Sequence, residues 1–220
     1  MMIEQLEQAH FNMLEQQLRP SNVLDSRVLT ALEKIKRTTF VDDELAGLAY
    51  ADMALPIGFG QVMLPAVVQG RLLQAINVQE DEHVLEIGTG TGYLTALLAQ
   101  LAQHVTTVEI VPELSAMAQQ HLAKLSLNNV TYQIGDASKS WALADRVAVI
   151  IITAAFVSVP DDYLQSLSVG GRMLVVVGKE NNMNVQIIHR ITERGWHTES
   201  IFETRIPAMI NAEDMPKFEF

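Results

Sequence analysis

The sequence predicts an α/β fold: a Rossmann-like, doubly wound parallel sheet with an N-terminal helical addition. Three observations carry that prediction. From His83 onward, short β-branched runs alternate with helical stretches, the pattern of βα units. The run VLEIGTGTGY, Val84 to Tyr93, joins a buried strand to a helix through a glycine turn. Acids stand at or near the ends of three successive strand candidates, as Glu86, Glu109 and Asp136.

The elements follow in order. Glu4 to Leu18 has a helical pattern that Arg19-Pro20 ends. Asp25 can cap a second helix whose apolar face is Val28, Leu29, Leu32 and Ile35. A short helix is expected between Phe40 and Tyr50. The segment ADMALPIGFGQVML is rich in glycine and proline yet apolar, which marks a loop packed over something. Pro65 can open a helix in its first turn, with Val68, Leu72, Ala75 and Ile76 facing inward. Strand 83–87 then leads to helix 93–102, and strand 105–109 to helix 112–124. Strand 130–134 is followed by a loop through Trp141. Strand 147–153 is continuously apolar, as a central parallel strand should be. A short helix over Pro160 to Leu167 precedes a turn at Val169-Gly170-Gly171 and a strand from Arg172 to Val177. Two more strands, Val185–Ile191 and Trp196–Ile206, flank a hairpin turn at Glu193-Arg194-Gly195. The tail, Asn211 to Phe220, carries Phe218 and Phe220 and either packs back on the body or hangs loose.

The glycine turn points to a ligand class. Its spacing is G-x-G-x-G, not the G-x-G-x-x-G of a dinucleotide site. The carboxylate of Glu86 repels a pyrophosphate and attracts an ammonium group, such as that on the methionine end of S-adenosylmethionine. Glu109 can accept from ribose hydroxyls, a device that NAD sites share. Asp136 is placed to accept from an adenine amino group. The bland alternative is an α/β sheet with capping acids at its loops.

Composition narrows the remaining classes. Of 220 residues 49% are apolar and 19% charged, which suits a well-buried globule. The formal net charge of -11, from 15 basic and 26 acidic side chains, argues against nucleic acid and anionic membrane as main partners. Lys34, Lys36 and Arg37 form the one basic cluster, and they read as cations complementing a helix end. With no cysteine, disulfides, thiolate nucleophiles and Cys-type zinc sites are excluded. The six histidines show no metal spacing and read as surface or cap residues. No metal is expected. The ten methionines read as core gap-fillers, with Met63 the exception because of its loop. The acidic start, Met1 to His10, does not look like a signal peptide, and Val147 to Val157 is too short to span a membrane. A soluble cytoplasmic protein is the expectation.

Several segments together resemble the protein-L-isoaspartate O-methyltransferases. They are AYADMALPIGFGQ (Ala49 to Gln61), VLEIGTGTGYLTALLA (Val84 to Ala99), VTTVE (Val105 to Glu109), NVTYQIGDA (Asn129 to Ala137), IITAAFVSVP (Ile151 to Pro160) and LSVGGRMLVVVG (Leu167 to Gly178). The resemblance implies a seven-stranded sheet with its last strand antiparallel. It implies methyl transfer from S-adenosylmethionine, leaving S-adenosylhomocysteine, to isoaspartyl carboxylates in damaged proteins. By position, Glu86, Gly88, Thr89, Gly90, Gly92 and Tyr93 would hold the methionine end. Glu109 and Ile110 would hold the ribose, and Asp136 with Ala137 the adenine. Gln61, Val62 and Met63 would line the cofactor, and Asp52, Leu55, Pro56, Ile57 and Leu64 the acceptor-site loop. Residues 1–78 then read as N-terminal helices and acceptor loop, and 79–220 as the methyltransferase domain, the two making one structural unit.

The chain also departs from that pattern. The family reads GQTIS where this chain reads GQVML, so Leu64 replaces a serine and Val62 a threonine. Ala148 replaces an aspartate, and GDG has become GDA. The early QLRPSNVLD and the final PKFEF look like a divergent bacterial branch. No catalytic base is singled out, because an acceptor carboxylate is already ionised near neutral pH. Two other readings therefore stay open beside isoaspartyl methylation. One is a methyltransferase for a different acceptor, a small molecule or another protein group. The other is a cofactor-binding protein without catalysis. An NAD-dependent enzyme is the outlying alternative.

Overall fold

The computed structural model describes residues 2–212, so Phe218 and Phe220 lie outside the described residues. Helix α1 (Met2–Asn12) runs without a break into a wider, π-helical stretch over Met13–Leu18. Pro20 cannot donate a helical hydrogen bond, and the chain turns there. Helix α2 (Ser26–Lys34) starts at Asp25, whose carboxylate accepts from the amides of Arg27 and Val28 at 2.8 and 3.3 Å. The predicted face of Val28, Leu29, Leu32 and Ile35 is buried. In place of one short helix, two 3-10 segments follow, Arg37–Phe40 and Asp43–Leu48. Strands β1 (Leu55–Pro56) and β2 (Val62–Met63) form a small hairpin around the glycines of LPIGFGQ. Helix α3 (Ala66–Ile76) begins immediately after Pro65, which caps it from outside rather than joining its first turn.

Two residues read as surface groups are interior ones. Arg37 has no exposed surface, and His10 is 3% exposed. The His10 ring stacks on Tyr50 at 4.9 Å and bonds the Leu32 carbonyl through Nε2. Lys36 Nζ donates to its Nδ1, which requires the neutral imidazole, and burial lowers the His10 pKa in the same sense.

The main sheet is built from β3 (His83–Ile87), β4 (His104–Glu109), β5 (Val130–Ile134), β6 (Val147–Phe156), β7 (Leu167–Lys179), β8 (Asn182–Thr192) and β9 (Gly195–Glu203). Helices α4 (Tyr93–Leu101), α5 (Pro112–Lys124) and α6 (Asp161–Ser166) connect the first of these. The strand order is β5-β4-β3-β6-β7-β8-β9, and pairing is parallel from β5 through β7. Order reverses between β3 and β6, which puts a crevice outside the carboxyl ends of those strands. The strand running against the others is β8, the sixth of seven, and not the last as expected. Tight turns join β7 to β8 and β8 to β9, leaving no length for a crossover, so the direction flips twice.

Alternate residues of the central strands feed two cores. Val149 and Ile151 of β6 pack under the N-terminal helices, α3, α4 and α5. Ile150 and Ile152 pack on the other face with Phe156, Tyr163 and the loop carrying Trp141. The predicted turn at Val169-Gly171 is instead an irregularity within β7. Val147 pairs with Leu167 and Val149 with Arg172, and Gly170 at φ +85° takes up the extra length. A second irregularity lies in β6, where Ile151 pairs with Leu174 but Ala155 with Val176. It pushes Thr153 and Ala154 toward the crevice.

Candidate functional site

A cleft encloses about 680 Å³ of space, open solvent included, at the carboxyl ends of β3, β4, β5 and β6. Gly88 and Gly90 line its floor at φ +97° and +56°. These are left-handed conformations that glycine adopts without strain. A side chain on Gly88 would strike the hydroxyl of Thr153, which donates to the carbonyls of Ile87 and Gly88, both at 3.0 Å. Glu109 closes one wall. Its Oε2 accepts from the Gly90 amide at 2.8 Å and its Oε1 from the Val111 amide at 3.0 Å. Ile110, Asp136 and Ala137 continue that wall. Asp136 accepts from the Ser138 amide and from the Asn211 side chain, each at 2.9 Å, and those bonds hold its pKa below the usual carboxylate range. Gln61, Val62, Ile57 and Leu64 form the opposite wall, brought there by the β1–β2 hairpin.

A smaller cavity adjoins the cleft beneath the glycine turn. Met63, Thr89 and Tyr93 line it with Gln69 and Thr91, and it shares Ile57, Val62, Leu64, Gly88, Gly90 and Thr153 with the cleft. Its lining contains no acid. One end of the combined site is thus acidic, at Glu109 and Asp136, while the other is neutral.

Five residues expected at the site line neither cavity. Glu86 is fully buried behind the turn. Its Oε2 accepts from Thr95 Oγ1 and Thr107 Oγ1, each at 2.6 Å, and its Oε1 has no partner among the described residues. Because the single Thr107 proton goes to Glu86, the 2.6 Å contact between Thr107 and Thr89 has Thr89 donating. Glu86 therefore reaches the cavity wall through two hydroxyls, not by direct contact. Burial pushes its pKa up to about 7, the two threonines oppose that rise, and Glu109 adds to it. Gly92 packs against α5 and serves as a close-packing point. Leu55 is a core residue, and Asp52 and Pro56 face solvent.

Several lining residues escaped the sequence reading. Thr153 and Ala154 belong to the ITAA segment, but only the irregularity in β6 turns them inward. Pro207, Ala208, Met209 and Ile210 cross the mouth of the cleft. They dock through Ala155, whose amide donates to the Pro207 carbonyl and whose carbonyl accepts from Met209, both at 2.8 Å. No side-chain pattern announces such a backbone contact. Among the described residues no cluster of His, Asp and Glu could hold a metal. No helix among them is long and apolar enough to cross a membrane.

The family model for protein-L-isoaspartate(D-aspartate) O-methyltransferase matches residues 8–209. A protein-L-isoaspartate O-methyltransferase of Magnetococcus marinus is 35% identical over 196 residues, covering 89% of this chain and 86% of that one. One from Aliivibrio salmonicida is 36% identical over 203 residues, covering 91% and 96%. In three dimensions the fold is similar to a Plasmodium falciparum crystal structure, provisionally assigned as a protein-L-isoaspartate O-methyltransferase, in complex with S-adenosyl-L-homocysteine. The TM-score is 0.77 at 16% identity, covering 91% of this chain and 97% of that one.

Proposed function

The chain belongs to the protein-L-isoaspartate(D-aspartate) O-methyltransferase family, and from that premise we infer how its site works. It is an S-adenosylmethionine-dependent O-methyltransferase acting on isoaspartyl carboxyl groups of proteins or peptides. One observation carries the assignment of residues. The glycine turn, Glu109 and the Asp136-Ala137 pair converge on one cleft that opens onto the wall of Ile57, Val62 and Leu64. The residues fit the cofactor. The cradle at Gly88 has no room for a side chain, and the acidic end suits ribose hydroxyls and an adenine amino group.

When bound, S-adenosylmethionine supplies a methyl group on a positively charged sulfur. The protein's own task is alignment. Glu109 would receive the ribose, with Ile110 beside it, and Asp136 with the backbone of Ala137 would receive the adenine. Gly88, Thr89, Gly90 and Tyr93 would hold the amino-acid end, and Glu86 would act on it through Thr107 and Thr89. Gln61, Val62 and Met63 would flank the reacting centre. Ile57 and Leu64, together with the Pro207–Ile210 segment, would exclude water from it. An acceptor carboxyl with a solution pKa of roughly 3.5 is ionised at neutral pH, so no residue needs to remove a proton. Orientation and dehydration of the reactants supply the acceleration.

In this reading residues 1–78 supply the acceptor-side wall and 79–220 the cofactor side, as one unit. The substrate is a damaged protein or peptide, and the formal net charge of -11 argues against nucleic acid and anionic membrane as partners. The test is methyl incorporation from labelled cofactor into an isoaspartyl peptide and into its normal aspartyl counterpart. Label is expected in the isoaspartyl peptide alone. No label in either, from protein that binds S-adenosylhomocysteine, would overturn the assignment of acceptor.

A further inference from the structure

Arg37 is fully buried; its hydrogen bonds among the described residues go to neutral oxygens, and the acid that acts on it, Asp52, does so without a hydrogen bond. Its Nε donates to the Ala49 carbonyl at 2.6 Å, its Nη2 to the Leu64 carbonyl at 3.0 Å and its Nη1 to Gln69 Oε1 at 2.7 Å. Its guanidinium carbon lies 5.0 Å from the centre of the Tyr93 ring. A buried cation ordinarily meets an anion, because a charge surrounded only by neutral groups is poorly compensated. Here all three partners are neutral oxygens.

The contact with Gln69 has a direction. A guanidinium only donates, so the carboxamide must turn its oxygen to Arg37 and leave its NH2 as the other end. Gln69 is 4% exposed and lines the smaller cavity beside Leu64 and Tyr93. Tyr93 lines the same cavity, but its hydroxyl is buried and turned toward Arg37 rather than into the open space. The cavity wall therefore holds an amide donor polarised by a buried cation, and its lining contains no acid.

We propose that Gln69, oriented and polarised by Arg37, forms a carboxylate-binding subsite in the wall of the smaller cavity. Gln69 is the binding residue and Arg37 the positioning residue. The proposal rests on the cofactor reading of the cleft and deepens it. Two carboxylates meet the description: the one at the amino-acid end of the cofactor, and the one on the isoaspartyl acceptor. Either would bring an anion to the amide donor that the Arg37 cation polarises.

The experiment compares wild type with Gln69→Glu and Gln69→Leu. Gln69→Glu keeps an oxygen on Arg37 but turns an anionic oxygen, in place of the NH2, toward the cavity. Gln69→Leu removes the donor. Calorimetry reads S-adenosylhomocysteine against methylthioadenosine, which lacks the amino-acid end and reports whether each variant is folded with an intact cleft. Kinetics read KM and kcat for an isoaspartyl peptide. A loss of about tenfold or more in S-adenosylhomocysteine affinity, with methylthioadenosine unchanged, assigns the subsite to the cofactor. A similar rise in peptide KM, with kcat and both nucleoside affinities unchanged, assigns it to the acceptor. Arg37→Lys should reproduce the same selective loss more weakly. Folded Gln69 variants that show neither change overturn the proposal. So does a wild type that favours S-adenosylhomocysteine no more than methylthioadenosine and binds an isoaspartyl peptide no better than its amide analogue. Absence of turnover with Gln69-dependent carboxylate binding intact would instead defeat the functional reading alone.

Discussion

The amide of Gly90 donates to Oε2 of Glu109 at 2.8 Å, so the turn after β3 is fastened to the acid that ends β4. The same carboxylate takes the Val111 amide through Oε1 and so anchors the entry to α5. Glu109 is both a candidate ribose acceptor and the strut that shapes the floor beneath the sugar. Glu109→Ala should therefore weaken S-adenosylhomocysteine binding by more than one lost hydrogen bond implies, about 10²-fold or beyond. Glu109→Gln keeps one acceptor oxygen and should lose less. Calorimetry on both variants checks the ranking, and equal affinities for the wild type and the alanine variant would remove Glu109 from the site.

Glu86 gives the protein a pH-dependent term. Burial raises its folded pKa to about 7 from the ordinary 4.5. Between those values the folded state binds the extra proton and the unfolded state does not, so stability falls as pH rises through that window. The loss, about 3 kcal/mol at most, is complete above the folded pKa. Glu86→Gln has no proton to release there. Urea unfolding at pH 5 and pH 8 should show a drop in the wild type that the variant lacks. Parallel drops in both proteins would place the ionised carboxylate in a better-compensated site than its empty Oε1 indicates.

Gly92 stabilises the turn by packing. At φ 92° its α-carbon meets α5, and a β-carbon would come within 2.7 Å of Leu122 Cδ1 and 2.9 Å of Ala118 Cβ. Gly92→Ala combines a left-handed alanine with overpacking, and a stability loss of about 2–4 kcal/mol is expected. Because Gly92 lines neither cavity, folded variant protein at low temperature should still bind S-adenosylhomocysteine. A stable variant that has lost binding would return Gly92 to the list of direct contacts.

What was legible in the sequence is what local pattern controls. Asp25 caps α2 as its spacing before the apolar face implied, and α5 and β5 fall on their expected residues. Glu109, Asp136 and Ala137 reach the cleft because the end of a parallel strand is a fixed place in this fold. What stayed hidden depends on contacts between distant segments. Arg37 looked like a helix-end cation, and only the approach of Ala49, Leu64 and Gln69 makes it interior. The Pro207–Ile210 strap is held by backbone bonds to Ala155, which any residues could make. Glu86 is expected from the sequence to touch the ligand, yet it lies buried behind the turn, because Thr95 and Thr107 hold its carboxylate there and no motif specifies those hydroxyls.

Leu64 and Val62 remain the clearest departures from the family's pattern, and both line the two cavities. Leu64 is 5% exposed and belongs to the main core, so its side chain contributes packing as well as a wall. Leu64→Ser should cost about 2–4 kcal/mol of stability through lost burial and a residual cavity. The hydroxyl would at the same time give a carboxylate acceptor a partner where leucine offers none. For the double variant Leu64→Ser with Val62→Thr, kcat/KM on an isoaspartyl peptide should rise, up to about 10²-fold if orientation limits the wild type. The melting temperature should fall. The two effects have separate causes, so a rise in activity despite lower stability identifies acceptor alignment as the wild type's limitation. A fall in both would mean that this chain positions its acceptor by other groups, with Gln69 the first to examine.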